Sequence, residues 1–439
     1  MTQVVIGAGM VGCATALALI KRGYDVVIYE KRPDPRIEEN KDVGRSINLA
    51  ISARGLRSLR AIDPEICDVV ISHTVPMKGR MIHAPGDGHM TPILYGVYGT
   101  ESINSISRSK LNNLMIDAAE RAGAKIVFSH QIPSDLEGVS ALGETIFGCD
   151  GAFSKIRGLI ERHTDYKIEQ ETVSTYYMEV PIPNSEAIKD WPLNYLHIWP
   201  RGSHMFIALP NDDGSFTGTL FAPNTLFESD LANPELLAKW FTTEFPDAAE
   251  VIGTEGLTML GKNAPRGKLT SIKFSPYNLG SKIVLLGDAS HSMVPFYGQG
   301  LNAGLEDVRT LFEQFIDTSI KDEWALAFNA YSKFRKPDLD AINDLSMANY
   351  LEMCSSVTKT SFKMRKYFDN MLSKALGDLW LPLYTMVSFR DDVRYSEALT
   401  RSKKQDRMLS NAINIIGGAV SIGASVGVLA LLKKYYGTK

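Results

Sequence analysis

Cysteine is scarce: Cys13, Cys67, Cys149 and Cys354 are the four in 439 residues, and no two stand as a Cys-x-x-Cys pair. Thiols spaced so widely exclude a zinc ribbon or a disulfide framework and fit a reducing compartment. Net charge is scarce too: Lys+Arg 47 against Asp+Glu 50 leaves -3, so no basic excess points to nucleic acid. Internal repeats are missing, and low complexity is confined to the C-terminal tail. No signal peptide is expected, because the first apolar run begins almost at Met1. What remains is an ordinary apolar content, 44%, in a chain long enough for two soluble domains.

The most informative stretch is the first thirty residues. An apolar run (QVVI, 3–6) leads into Gly7-Ala8-Gly9-Met10-Val11-Gly12, then a small-residue helical stretch to Arg22, then a second apolar run (DVVIY, 25–29) closed by Glu30. This is strand, Gly-x-Gly-x-x-Gly turn, helix, strand and acid, the spacing of a dinucleotide-binding unit. Gly7 allows the tight turn, Gly9 lets backbone approach a pyrophosphate, and Gly12 lets helix and strand pack closely. The helix N-terminus offers N–H groups and a positive dipole end to that pyrophosphate, and Glu30 is placed to accept from an adenosine ribose. A glycine-rich turn that only packs is the plainer alternative.

The tail has a different character. Residues 412–432 (AINIIGGAVSIGASVGVLALL) contain no charged residue, with Arg401 to Arg407 basic upstream and Lys433-Lys434 downstream. At 1.5 Å per residue this length matches the roughly 30 Å hydrocarbon layer. Basic residues at both ends favour a membrane tail anchor over a buried glycine-rich helix.

Between these ends the pattern is α/β, with one interruption. A strand is expected over 75–82 with Arg80 inside it, another near 93–98, and an amphipathic helix after Arg108 with Leu111, Leu114, Met115 and Ala118 on one face. From residue 172 to about 260 the runs turn aromatic and alternating (STYYMEVPI, YLHIWP, HMFIALP, FTGTLFA), as in an antiparallel sheet. The expected fold is therefore a Rossmann-like domain over 1–171 and 261–320, with an inserted antiparallel β-sheet substrate domain over 172–260 to which strands in 75–98 contribute. A C-terminal helical region (321–410) and the tail-anchor helix (412–432) complete it.

A second fingerprint follows the buried run 283–286: Gly287-Asp288-Ala289-Ser290-His291, then a glycine-rich loop, PFYGQGLNAGLED (295–307), that enters a helix. An acid at a strand's carboxyl end is placed to bond a sugar-like hydroxyl, and the loop makes another anion-binding helix start. With Cys149-Asp150-Gly151 between them, the two fingerprints resemble the three FAD motifs of single-component FAD-dependent aromatic hydroxylases. Within that family, GRSINLA (44–50), GRMIH (79–83), Tyr95-Gly96, the 295–307 loop, Asn349 to Met353 and LPLYTMVSFR (381–390) match the kynurenine-hydroxylating members. The likeness runs from the first strand to the tail. One departure is the link 129–145, which is shorter than the family's, where strands are normal.

The resemblance implies a bound FAD, NADPH as transient co-substrate without a Rossmann domain of its own, and hydroxylation of L-kynurenine to 3-hydroxy-L-kynurenine by O2 through a C4a-hydroperoxyflavin. It implies that Val11 joins the phosphate turn and that Tyr29, Glu30 and Arg32 hold the adenosine. Ala50, Arg108, Ile132, Leu301 and Asn302 would lie at the flavin, and Asp288 would hold its ribityl chain. For substrate it implies Arg80 and Tyr95 on the carboxylate, with Asn349 and Tyr384 as further polar contacts. It also implies tail anchoring in the mitochondrial outer membrane with the catalytic part facing the cytosol. The resemblance also implies that His291 is structural, not a general base. On the residues alone, Arg80 reads as a surface ion pair, Tyr95 and Tyr384 as core residues with wet hydroxyls, and Asn349 as solvent-facing. A membrane-lipid epoxidase or reductase, which would lack Arg80 with Tyr95, and a non-catalytic prenyl-protein-binding relative, which would have degraded flavin motifs, are the competing readings.

Overall fold

A computed structural model describes residues 2–37, 47–86, 89–165, 168–229, 231–264, 266–319, 324–356 and 360–411. The N-terminal unit is β1 (Thr2–Ile6), α1 (Met10–Ile20) and β2 (Asp25–Tyr29). Val4 and Val5 are wholly buried because β1 is central, parallel to β2 on one side and to Ile146–Gly148 on the other. Such a strand has no wet face and reads as a continuous apolar run. Buried Gly12, Ala14, Ala16 and Ala18 let α1 lie close on the sheet. Lys125–Val127 extends the sheet beyond β2, and Ile283–Leu285 with Asn278–Leu279 extends it the other way, giving six strands.

A second sheet of seven strands runs in the order Arg266–Lys273, Glu169–Ile182, Phe216–Pro223, Met205–Pro210, Leu196–Pro200, Gly79–His83, Met90–Leu94. Its pairs are antiparallel except Leu196–Pro200 with Gly79–His83, where Arg80 stands opposite Leu196. The sheet thus takes in Gly79–His83 and Met90–Leu94 from the N-terminal half of the chain and also Arg266–Lys273, which pairs with Glu169–Ile182. A three-stranded sheet pairs Ile103–Ser107 with Asn48–Ile51 on one side and Val75–Met77 on the other.

The alternating pattern expected through residue 260 stops earlier. Asn224–Glu228, Pro234–Glu244 and Pro246–Asn263 are helices. Asn233 caps the second by accepting from the Glu235 and Leu236 amides, and Pro at the first helical position needs no hydrogen-bond acceptor. Their Leu237, Phe241 and Phe245 pack with Trp199 and Phe206 on the sheet's outer face. The inner face, with Ile82, Tyr177, Ile198, Met205 and Phe221, meets Phe296 and Met353. The link 129–145 holds no strand among its described residues, only the short helix Leu136–Ser140.

Helices Gly300–Thr310 and Trp324–Leu351 follow the last nucleotide-sheet strand, and Thr360–Leu376, Leu383–Ser388 and a helix over 395–411 complete the described chain. Among the described residues no helix is long and apolar enough to cross a membrane. The anchor expected at 412–432 lies outside the described residues, as do Gly44, Arg45 and Ser46 of GRSINLA.

Candidate active site

The glycine turn has the geometry the sequence demands. Gly7 has φ +104, and a Cβ there would stand 2.6 Å from the Cys149 carbonyl oxygen. A Cβ on Gly12 would meet the Gly7 carbonyl oxygen at 1.9 Å, so neither position admits a side chain. Gly9 differs: a Cβ there would meet nothing within 4 Å, and it gives α1 no side-chain cap. The first N–H groups of a helix have no partner within the helix. This end therefore presents uncapped donors to open space, a cradle for a pyrophosphate. Val11 packs one turn on, in the path of any side chain at Gly287 or Gly304.

At the end of β2, Glu30 is buried, and its Oε2 accepts from the Ala8 amide at 2.9 Å. Its Oε1 accepts from Arg32 through both the amide and Nε, each at 2.9 Å. Burial alone would push the Glu30 carboxyl up, but the bonds from Arg32 and Ala8 hold it below its ordinary value. A carboxylate has about four acceptor positions, so capacity remains for a ribose. A small cavity opens there, lined by Ala8, Glu30, Arg32, Pro33, Asn112 and Phe128, among others. The Tyr29 ring lies 4.7 Å from that of His130, and Ile132 is buried two residues further on.

The two later FAD motifs are tied together by a residue the sequence reading passed over. Buried Arg157 donates to the carbonyls of Ala289 at 2.8 Å, Asp288 at 3.4 Å and Ala152 at 2.6 Å. Asp150 is a helix cap, accepting from Ser154 Oγ at 2.5 Å and the Lys155 amide at 2.7 Å, and burial raises its pKa. The Gly287 amide donates to Asp307 Oδ2 at 3.1 Å, and the same carboxylate meets His291 and Arg335. His291 is therefore a buried brace of the Gly-Asp turn. The carboxylate of Asp288 itself bonds no side chain or amide among the described residues and remains available to a ligand.

Asn302, wholly buried, joins that loop to the strand bearing Ala50. Its Nδ2 donates to the Ala50 carbonyl at 2.8 Å and the Gly298 carbonyl at 2.7 Å, while its Oδ1 accepts from the Ser52 amide at 2.9 Å. The side chain is thus committed within the protein, which leaves the backbone of Leu301 and Asn302 to face a cofactor. Arg108 starts the helix Arg108–Arg121, its amide donating to the Ile47 carbonyl at 3.3 Å.

Arg80 is buried, not on the surface. Its guanidinium carbon lies 5.0 Å from the centroid of the Tyr384 ring, which stacks 5.2 Å from the ring of buried Tyr95. Tyr297 stacks on Tyr384 at 5.4 Å, so the 295–307 loop closes against the same group. Asn349 joins through that loop: it is buried and donates to the Phe296 carbonyl at 2.6 Å. The structure thus brings Arg80, Tyr95 and Tyr384 into one cluster, with Asn349 behind it. Sequence reasoning missed Glu352, whose Oε1 lies 3.3 Å from Arg80 Nη1. Its place one helical turn after Asn349 was the available signal. Burial works against the Arg80 charge, yet Tyr384, Tyr95 and Glu352 together hold its pKa up. Its Nε has no partner, an orphaned donor in a buried position. A buried guanidinium with spare donors is a receptor for a carboxylate.

The family of the FAD binding domain matches residues 1–342. Among solved structures, 2-methyl-3-hydroxypyridine-5-carboxylic acid oxygenase superposes with a TM-score of 0.64 at 19% identity, covering 82% of this chain and 94% of that one. Klebsiella pneumoniae HpxO complexed with FAD and uric acid gives 0.64 at 18%, covering 91% and 97%. These establish the fold. Sequence likeness goes further: kynurenine 3-monooxygenase of Candida albicans is 42% identical over 438 residues, 95% of each chain. That of Sus scrofa is 38% identical over 435 residues, 96% of this chain and 90% of its own. With its glycine cradle, the free carboxylate of Asp288 and its buried arginine, the chain belongs to the kynurenine 3-monooxygenase family of FAD-binding enzymes.

Proposed function

We propose that the chain hydroxylates L-kynurenine to 3-hydroxy-L-kynurenine, with FAD bound and NADPH and O2 as co-substrates. The observation that carries this is the buried Arg80, with an unpartnered Nε, beneath the stacked Tyr95 and Tyr384 and beside the 295–307 loop. An amino acid brings a carboxylate for that guanidinium and an ammonium that Glu352, 37% exposed, can meet. Likeness to enzymes named kynurenine 3-monooxygenase supports the identity of that amino acid.

The residues fit FAD. The α1 N-terminus with Gly7, Gly9, Val11 and Gly12 would hold the pyrophosphate, Tyr29, Glu30 and Arg32 the adenosine, and Asp288 the ribityl chain. Ala50, Arg108, Ile132 and the backbone of Leu301 and Asn302 would border the ring. The flavin supplies an electrophilic oxygen, which no side chain can. The protein's own task is positioning. Arg80 and Glu352 fix the amino-acid end, Tyr384 and Tyr95 wall the pocket, and the aromatic inner face of the large sheet keeps water away from the reacting carbon.

We further assign 412–432 as a tail anchor in the mitochondrial outer membrane, with the catalytic part in the cytosol. Twenty-one uncharged residues between basic flanks support it. Deleting residues from Asn411 onward should move most of the protein to the soluble fraction, and unchanged sedimentation with membranes would refute the anchor. The activity is tested by kynurenine-stimulated NADPH oxidation with identification of the product. Stimulation without a hydroxylated product, or none at all, refutes the substrate assignment.

A further inference from the structure

The helix Thr360–Leu376 is amphipathic in the reverse sense. At 100° per residue, positions 364, 367, 368 and 371 share one face. In this chain they are Met364, Tyr367, Phe368 and Met371, exposed by 56, 68, 40 and 47%. The opposite face is polar and turned inward. Arg365 donates to Asp369 at 2.8 Å and to Asp406 at 2.7 Å, Trp380 Nε1 donates to Asp369 at 3.0 Å, Lys366 donates to the Leu94 carbonyl at 2.9 Å, and Ser373 is buried. A helix on a water-facing surface normally does the opposite. Leu376 and Leu379 are exposed at and beyond the end of this helix, and exposed Met408 lies on the neighbouring helix. Single exposed hydrophobics are ordinary, but a row of them marks a contact surface.

We propose that this row rests on the surface of a phospholipid bilayer, a second membrane contact beside the tail. The inference deepens the anchoring assigned above and rests on it for the direction in which the bilayer lies. Three observations select lipid as the occupant. Arg365 is bonded to Asp406, and the chain reaches Asn411, the residue before the uncharged stretch, about 8 Å further along that helix. The start of the apolar tail is therefore close to the helix that carries the row. Lys374 on the row's border and Lys403, Lys404 and Arg407 on the second helix are exposed, as suits phosphate headgroups. Finally, residues 412–432 carry no charge on any face, so folding them back over the row would cover only one side of them, whereas a bilayer takes the whole. The contact lies along the surface, with Tyr367 suited to the headgroup layer. It also reaches the substrate pocket, because Lys366 holds the carbonyl of Leu94, the residue before Tyr95.

Site-directed fluorescence on the full chain tests this. The four native thiols are buried, so a cysteine introduced by Phe368→Cys, Ser425→Cys or Lys239→Cys can be labelled singly with bimane, FAD content reporting correct folding. In vesicles of phosphatidylcholine and phosphatidylserine, the label at 368 should be quenched by lipid brominated near the headgroup and should lose its quenching by aqueous iodide. The label at 239, exposed on Pro234–Glu244, should stay open to iodide throughout. A label at 368 open to iodide on vesicles that shield position 425 overturns the proposal and leaves the tail standing. Both positions open overturns the proposal and the tail together. Lipid quenching at 368 with 425 open supports the surface contact and refutes the tail. A label at 368 shielded before vesicles are added, with doubled mass by light scattering, overturns lipid in favour of a second copy.

Discussion

Arg80 and Glu352 are 272 residues apart in the chain, yet Nη1 of one lies 3.3 Å from Oε1 of the other. The pairing is lopsided: the arginine side chain is 8% exposed and the glutamate 37%. The glutamate can swing toward solvent, whereas the guanidinium is fixed and must be met by whatever anion enters. Arg80→Met keeps the stem and removes the fork, so a substrate carboxylate would enter unpaired. Loss of a buried charge partner costs roughly 3–5 kcal/mol, and kynurenine binding should weaken by about two to three orders of magnitude. FAD content should stay normal. Spectral titration of the flavin with kynurenine reads both, and wild-type affinity in the variant removes Arg80 from the substrate site.

Asp288 gives the complementary case. Its carboxylate bonds nothing among the described residues, so Asp288→Ala should leave the fold intact. If it holds a ribityl hydroxyl, a charged hydrogen bond worth about 1.5–3 kcal/mol is lost, and FAD should bind roughly ten- to hundredfold more weakly. Flavin absorbance after gel filtration measures it. A washed, folded variant with full FAD content would falsify the assignment.

These two residues also mark how far the sequence could be read. The N-terminal unit was legible because most of its constraints are local and at fixed spacing: the positive φ of Gly7, Gly12 against the Gly7 carbonyl, and Glu30 on Ala8 and Arg32. Arg80, Tyr95 and Tyr384 were brought together only by resemblance, since no local pattern links strand Gly79–His83 to helix Leu383–Ser388. Glu352 and Arg157 escaped because their partners are distant and, for Arg157, are backbone carbonyls that leave no trace in sequence. The helices over 224–263 were missed for another reason. Aromatic Phe216, Phe221 and Phe227 continue the strand-like composition past the point where Asn233-Pro234 and Pro246 signal helix starts.

Asn302 should prove more structural than its position beside the cofactor loop implies. It satisfies two carbonyls and one amide with a side chain that solvent does not reach. Asn302→Ala leaves these groups unpaired, at about 1–3 kcal/mol for each buried group that finds no water. Both the melting temperature and FAD retention should fall. Asn302→Asp should recover only part of the loss, because its carboxylate can accept from Ser52 but cannot donate to Ala50 and Gly298. A variant that loses flavin without losing melting temperature in the apoprotein would place the side chain on the cofactor instead.

Lys366 supplies a pH test. Burial and the nearby Arg80 charge push its pKa down from 10.5 to about 8, with Glu352 pulling the other way. A lysine whose folded pKa is lowered binds fewer protons folded than unfolded between those two values, so stability rises with pH across that window. Below about pH 8 both states are protonated and the burial penalty is present in full. Above 10.5 both are neutral and it is gone. Lys366→Met removes the titration along with the bond to the Leu94 carbonyl. Wild-type stability should therefore improve relative to the variant as pH climbs from 7 toward 10, most steeply about midway between 8 and 10.5. Urea unfolding of both proteins, followed by tryptophan fluorescence at several pH values, measures the difference. If it stays flat across that range, Lys366 titrates in the folded protein as it does in the unfolded chain, and the electrostatic coupling to Arg80 is refuted.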